Sequence, residues 1–232
     1  MKNTENIHTK TVEVTPEYIK KPLKFNESNV LQINIKYPDV KILSSGGDFV
    51  KAEKKINIFY DAIIKSFTEY CEKRLYKNAA AEFMAKKADE TEVFKPFGAV
   101  MTFDVMYNKQ DLLCVYLDIN IYSGKGRGNI ARKSQIWKTD KGELLSPEHF
   151  IKFNYRLKQK ICGYICEIME KKARNGEEYY IKSDMQSVYR YFNMNNFYMS
   201  ENGYSFFFPQ NTIASPESGI LSFEIPEKVI KE

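Results

Sequence analysis

The chain has 232 residues, 43% hydrophobic and 14% aromatic with 16 Tyr and 16 Phe, enough for a buried core in one large or two small domains and rich in the residues that favour sheets. A net charge of +5 among 28% charged residues of mixed sign gives no concentrated basic stripe, which argues against a nucleic-acid partner. No apolar run reaches the ~18 residues of a transmembrane helix, and the polar start MKNTENIHTKTVEVTPEY lacks the apolar core of a secretory signal, so the chain as written is expected in the cytoplasm.

Residues 1–27 read as a polar tail leading into a short edge strand at Thr11–Val14, with prolines at Pro16 and Pro22. Val30 to Tyr37 alternates strictly, the pattern of a half-buried strand, and Pro38 is expected to close it. Ser44 to Asp48 is a loop with Asp48 as a candidate N-cap. A long amphipathic helix follows to about Tyr76, its stripe formed by Ile56, Phe59, Ile63, Phe67 and Tyr70. Asn78 to Glu92 either prolongs this helix or loops out.

Val93 to Tyr107 reads as a strand interrupted at Pro96 and Gly98, turned at Asn108-Lys109-Gln110 into the most regular strand of the chain. There Leu113, Val115, Leu117, Ile119 and Ile121 alternate with Cys114, Tyr116, Asp118, Asn120 and Tyr122. A third strand through Ile130, Arg132, Ser134, Ile136 and Trp137 completes an antiparallel meander. Ser146-Pro147-Glu148 has the signature of a helix start, and the pattern predicts a second long helix over about 147–174 with the stripe Phe150, Phe153, Leu157, Ile161, Ile165 and Ile168. A short helix at 184–192, a hairpin turned at Asn202-Gly203, a loop over Pro209–Gly219 and a closing strand over 220–225 finish the chain. The fold class expected is α+β: a strand, long helix and strand meander over residues 28–123, then a helix and C-terminal hairpin over 124–232, each part a helix on an antiparallel sheet.

Chemistry-bearing residues are scattered. Cys71, Cys114, Cys162 and Cys166 have neither zinc spacing nor a C-x-x-C pair, and read as reduced core thiols. His8 and His149 are the two histidines, and His149 reads as an exposed first-turn residue. No metal, cofactor or catalytic residue is predicted. The feature that stands out is the stretch Tyr122, Ser123, Gly124, Lys125, Gly126, Arg127, Gly128 and Asn129. Glycine-rich backbone beside Lys125 and Arg127 could cradle an anion. Phosphate loops join a strand to a helix, whereas both flanks here read as strands, so a wide bend with solvated basic side chains weighs more.

The ordered set of features also carries a resemblance. The stretch Tyr122–Asn129, the turn Thr139-Asp140-Lys141-Gly142-Glu143-Leu144-Leu145 before a helix, Phe197-Tyr198-Met199 with Asn202-Gly203-Tyr204-Ser205-Phe206-Phe207-Phe208-Pro209, then Ile213-Ala214 and Phe223-Glu224-Ile225-Pro226 follow in order over roughly residues 30–226. This resembles the paired extracytoplasmic domains of unknown function of Gram-positive bacteria, found in the ectodomain of the RsiV-type anti-sigma factor that senses lysozyme and in the N-terminal module of a class of peptidoglycan deacetylase. Where that family has Gly-Gly-Ala-His-Gly, this chain has Gly124 to Gly128 with Arg127 in place of the histidine.

The resemblance implies a non-catalytic binding or sensor module whose partner is lysozyme or a cell-wall glycan, without the anchor and sigma-binding segment, and its members are usually extracytoplasmic. The contact residues expected are the Tyr122–Asn129 stretch together with Pro209, Gln210, Asn211, Pro216 and Glu217 of the late loop. Two other classes compete: an intracellular regulator holding an anionic ligand at the glycine stretch, and a hydrolase using carboxylates such as Asp104, Asp118 and Glu143.

Overall fold

The structure, a computed structural model, describes residues 12–44, 46–88, 92–176 and 184–231. Its main feature is a six-stranded sheet in sequential order. The strands are β1 (Val12–Phe25), β2 (Ser28–Ile42), β3 (Phe97–Lys109), β4 (Leu112–Tyr122), β5 (Asn129–Lys138) and β6 (Glu143–Leu145). A second sheet of three strands holds β7 (Phe197–Ser200), β8 (Gly203–Phe208) and β9 (Leu221–Pro226). The α+β class stands. The large sheet is mixed rather than antiparallel throughout, because β2 and β3 run parallel from Leu31↔Phe97 to Ile35↔Met101. A helical crossover between them returns the chain to the same end of the sheet, which a tight turn cannot do.

That crossover is longer than its periodicity announced. Helix α1 (Gly47–Tyr70) continues through a π-turn at Cys71–Leu75 into α2 (Tyr76–Ala88), so the ambiguous segment after Asn78 prolongs the helix. Gly46 is its N-cap, and Asp48 lies in the first turn, where its charge meets the positive end of the dipole without capping it. Ala52, Ile56, Tyr60, Ile64 and Phe67 are buried against the sheet face of Ile33, Ile35, Met101, Phe103, Val115 and Leu117.

Residues 12–44 depart most from expectation. Strand β1 is long, and it pairs with β2 along its length through the two-residue turn Asn26-Glu27, both at positive φ. Pro16 faces Pro38 in the register. Two prolines can face each other only at a non-hydrogen-bonded pair, where neither nitrogen points at the partner. Beyond Ile35 the pairing with β3 stops. There α1 replaces the missing strand: Asn57 donates to the Val40 carbonyl at 2.8 Å and accepts its N–H at 2.9 Å, while Glu53 accepts the Ile42 N–H at 2.9 Å.

The second long helix begins later than the serine-proline signal implies. Pro147–His149 forms one 3-10 turn, and α3 (Tyr155–Arg174) starts after Asn154, whose side chain accepts the Leu157 N–H at 2.8 Å. Phe150 and Phe153 therefore lie outside the helix. His149 is exposed, as expected. A short helix α4 (Met185–Tyr191) and a terminal α5 (Glu227–Lys231) complete the fold. The expected division at 123/124 falls between β4 and β5, neighbours in the large sheet that stay paired from Leu112↔Lys138 to Ile121↔Asn129.

The four cysteines are free. Burial pushes Cys114 and Cys162 up to about 12 and Cys71 up to about 11. At pH 8 a thiol reagent should therefore find these three inert in the native protein and all four reactive in denaturant; rapid native labelling of Cys71, Cys114 or Cys162 would contradict the packing. Gly142 offers a second check. Its φ is +60°, and a Cβ there would lie 2.6 Å from the Ala52 carbonyl oxygen of α1. Gly142→Ala should cost more than about 1 kcal/mol in denaturant unfolding, whereas Gly126→Ala, with nothing within 4 Å, meets only the backbone penalty.

Candidate functional site

The glycine stretch and the late loop, far apart in sequence, meet in space. Gln210 makes the junction: its side-chain oxygen accepts the Ile130 N–H at 2.9 Å, and its amide donates to the carbonyls of Gly128 at 3.3 Å and Pro216 at 2.8 Å. Arg127 donates to the Glu217 carbonyl. Gly128 sits at φ +87° with its Cα backed against Asn120 and Ile121, where a Cβ would lie 2.6 Å from Asn120 Oδ1. Ser123, Lys125, Gly126, Arg127, Asn129, Pro209, Asn211, Pro216 and Glu217 are exposed; Tyr122, Gly124, Gly128 and Gln210 are half-buried.

A second junction lies two residues further along β5. Arg132 of β5 forms a bidentate pair with Asp118 of β4, both contacts at 2.7 Å, and donates to the Ser222 hydroxyl of β9 at 3.1 Å. Its guanidinium also stacks over Tyr116 at 3.7 Å, with Tyr198 and Phe207 of the small sheet within 5.9 Å. Burial, with the hydroxyl's own donation to the Asp104 carboxylate, pushes the Tyr116 hydroxyl up to about 12 despite the neighbouring cation. Nearby, Ser134 donates to the Phe197 carbonyl, and the Met199 N–H points at Cys114 Sγ at 3.4 Å. These contacts fasten the small sheet to the face of the large sheet opposite α1.

The far side of the small sheet is covered by α3 and α4, and between them opens a groove of about 780 Å³. Phe153 and the N-cap Asn154 precede α3, Tyr155 and Lys158 come from its first turns, and Tyr189 to Asn193 from α4 and its exit. Met194, Asn196, Pro209 and Thr212 complete the lining. Tyr155, 65% exposed, meets Tyr189 edge-on with ring centroids 6.1 Å apart. Lys158 Nζ stands 3.9 Å from the Tyr189 centroid. Phe192 packs behind, against Phe206 at 5.1 Å and Phe153 at 6.5 Å. Such a site combines flat apolar faces with convergent polar groups, the usual constitution of a small-ligand cleft.

Of the expected contact residues only Pro209 lines this groove, and sequence reasoning passed over the rest. They come from three separate stretches, residues 153–158, residues 189–196 and the late loop. The one local signal is the aromatic run Tyr189, Tyr191 and Phe192, which helical spacing assigns to core packing.

The carboxylates are placed as follows. Asp104 faces Tyr116, and Asp118 faces Thr102, across the β3–β4 ladder, so the two acids lie diagonally on one sheet face. Asp118 is held by Arg132, Asp104 is exposed, and Glu143 stands on β6 beside Lys51, Lys55 and Lys141. On α3, Glu170 pairs with Arg174 at 3.0 Å; Glu177 and Glu178 lie outside the described residues. Among the described residues no group of three or more His, Cys, Asp or Glu could hold a metal ion, and no helix is long and apolar enough to cross a membrane.

Comparison with known proteins places the C-terminal part of the chain. Residues 148–228 match the family described as a protein of unknown function, DUF3298. Among solved structures, a member of the DUF3298 family from Bacteroides fragilis NCTC 9343 superposes with a TM-score of 0.70 at 15% identity, covering 97% of this chain and 94% of that one. A DUF3298 family protein from Pseudomonas aeruginosa PAO1 superposes with a TM-score of 0.56 at 11% identity, covering 95% and 92%. At these identities the likeness is one of fold. Among curated proteins none matches the chain.

The clasp around Arg132 can be tested. Its side chain is 11% exposed and that of Asp118 24%. Arg132→Ala should destabilise by about 3 kcal/mol, because it strands a half-buried carboxylate. The double variant Arg132→Met with Asp118→Leu should lose clearly less in the same urea titration. Equal losses would show that packing, not the pair, holds the sheets together.

Proposed function

We propose that this protein is a non-catalytic glycan-binding module, with the groove between α3 and α4 as its site and cell-wall glycan as its ligand class. The supporting observation is the lining itself. A sugar ring has an apolar face of C–H bonds and an equatorial rim of hydroxyls. Tyr155 and Tyr189 offer aromatic surface to the first, and Asn154, Asn193, Asn196 and Thr212 offer polar groups to the second. A glycosidase needs two carboxyl groups flanking the bond it breaks, and the described lining residues include no Asp or Glu.

In this reading the two candidate loops support the site. Pro209 and Thr212 form one wall, and Gln210 ties that wall to the glycine stretch. An anion at the glycine stretch is the weaker reading, because it would compete with the Glu217 carbonyl for Arg127. Lysozyme, the other partner implied by the family resemblance, is also disfavoured. Secreted lysozymes are strongly basic, and this chain carries +5 with Lys158 and Arg190 at the groove; like charges slow encounter.

The test is a calorimetric titration against soluble peptidoglycan fragments and, separately, lysozyme. Glycan should bind without being cleaved. Tyr155→Ala with Tyr189→Ala should weaken it about tenfold, or about 1.4 kcal/mol. Lysozyme binding with no glycan binding would overturn the proposal, as would release of reducing ends.

A further inference from the structure

Resting on the glycan reading, we infer that the groove selects acidic saccharides, with Lys158 and Arg190 receiving the anionic group. Lys158 and Arg190 are the charged groups among the described lining residues, and both are cations. They reach the groove from different helices: Lys158 from the first turns of α3, Arg190 from the end of α4. The Lys158 ammonium lies 3.9 Å from the Tyr189 centroid and 5.8 Å from that of Phe192. It is thus held over the aromatic wall by attraction to the ring faces. A sugar stacked on Tyr155 and Tyr189 would bring its substituents beside that ammonium.

Arg190, exposed, lies with its guanidinium 5.9 Å from the Tyr191 ring and is free of any carboxylate partner shown by the described residues. A guanidinium fork matches a carboxylate in a bidentate fashion, and an ammonium adds a point charge beside it. A neutral oligosaccharide would leave both cations without a counter-charge, since the described lining residues offer none. A uronic acid, or a hexosamine carrying a carboxylate substituent, would neutralise them.

The experiment compares two tetrasaccharides of equal length, chitotetraose, which is neutral, and the hyaluronan tetrasaccharide, in which alternate sugars carry a carboxylate. At low ionic strength the acidic ligand should bind the full chain about fivefold or more tightly than the neutral one, and the advantage should shrink in 0.5 M salt, where the Debye length is about 4 Å. In the double variant Lys158→Gln, Arg190→Gln the advantage of the acidic ligand over chitotetraose should vanish. The thermal midpoint of that variant checks its folding. Equal binding of the two ligands by the unaltered protein would overturn the acidic selectivity and leave the glycan reading standing. Binding of neither would overturn the glycan reading beneath it. An acidic advantage that survives in the double variant would overturn the assignment to Lys158 and Arg190.

Discussion

The arrangement of this molecule depends on one side chain that satisfies two sheets at once. Arg132 rises from the large sheet, pairs with Asp118 on the neighbouring strand, stacks on Tyr116 and reaches Ser222 in the small sheet. A cation in so dry a place is tolerable only because its charge and its hydrogen bonds are met together. The contact fixes how the small sheet sits on the large one. The small sheet in turn carries Phe206 and Phe208, on which Phe192 and the exit of α4 rest. The groove is thus a consequence of the clasp, several layers removed from it.

The long helix plays the matching part on the opposite face. It is a core element, and also a surrogate strand for β2 where β3 has turned away, through Asn57 and Glu53. Trp137 of β5 donates to the Tyr60 hydroxyl at 3.0 Å within the same core. Burial pushes the Tyr60 hydroxyl above its ordinary range, so it stays neutral and available as an acceptor. The sheet is therefore gripped from both faces, with the β1–β2 hairpin at one side and the Gln210 junction at the other.

What could be read in the sequence follows from how local its cause is. The strands β4 and β5 and the Asn202-Gly203 turn were legible, because alternation and turn chemistry act over a few residues. The hairpin β1–β2 was not. Pro16, Pro22 and Pro38 read as breakers, and only a long-range register shows that they occupy sites needing no N–H. Its turn, Asn26-Glu27, lacks the glycine that usually marks one. The start of α3 was misplaced because Ser146-Pro147 caps a 3-10 turn, while Asn154 caps the helix itself. The two candidate loops stand out in the sequence, but their meeting through Gln210 is tertiary. The groove was invisible for the same reason: its aromatics belong to separate helices and looked like core.

The central claim, that ligand enters between α3 and α4, is tested most directly by amide chemical-shift mapping of the protein titrated with soluble peptidoglycan fragments. The account predicts that the largest shifts fall at Tyr155, Lys158, Tyr189 to Asn193 and Thr212, with smaller ones along Tyr122 to Asn129. Shifts centred on the glycine stretch or on the open face of β1 to β3, with the α3–α4 groove silent, would contradict it.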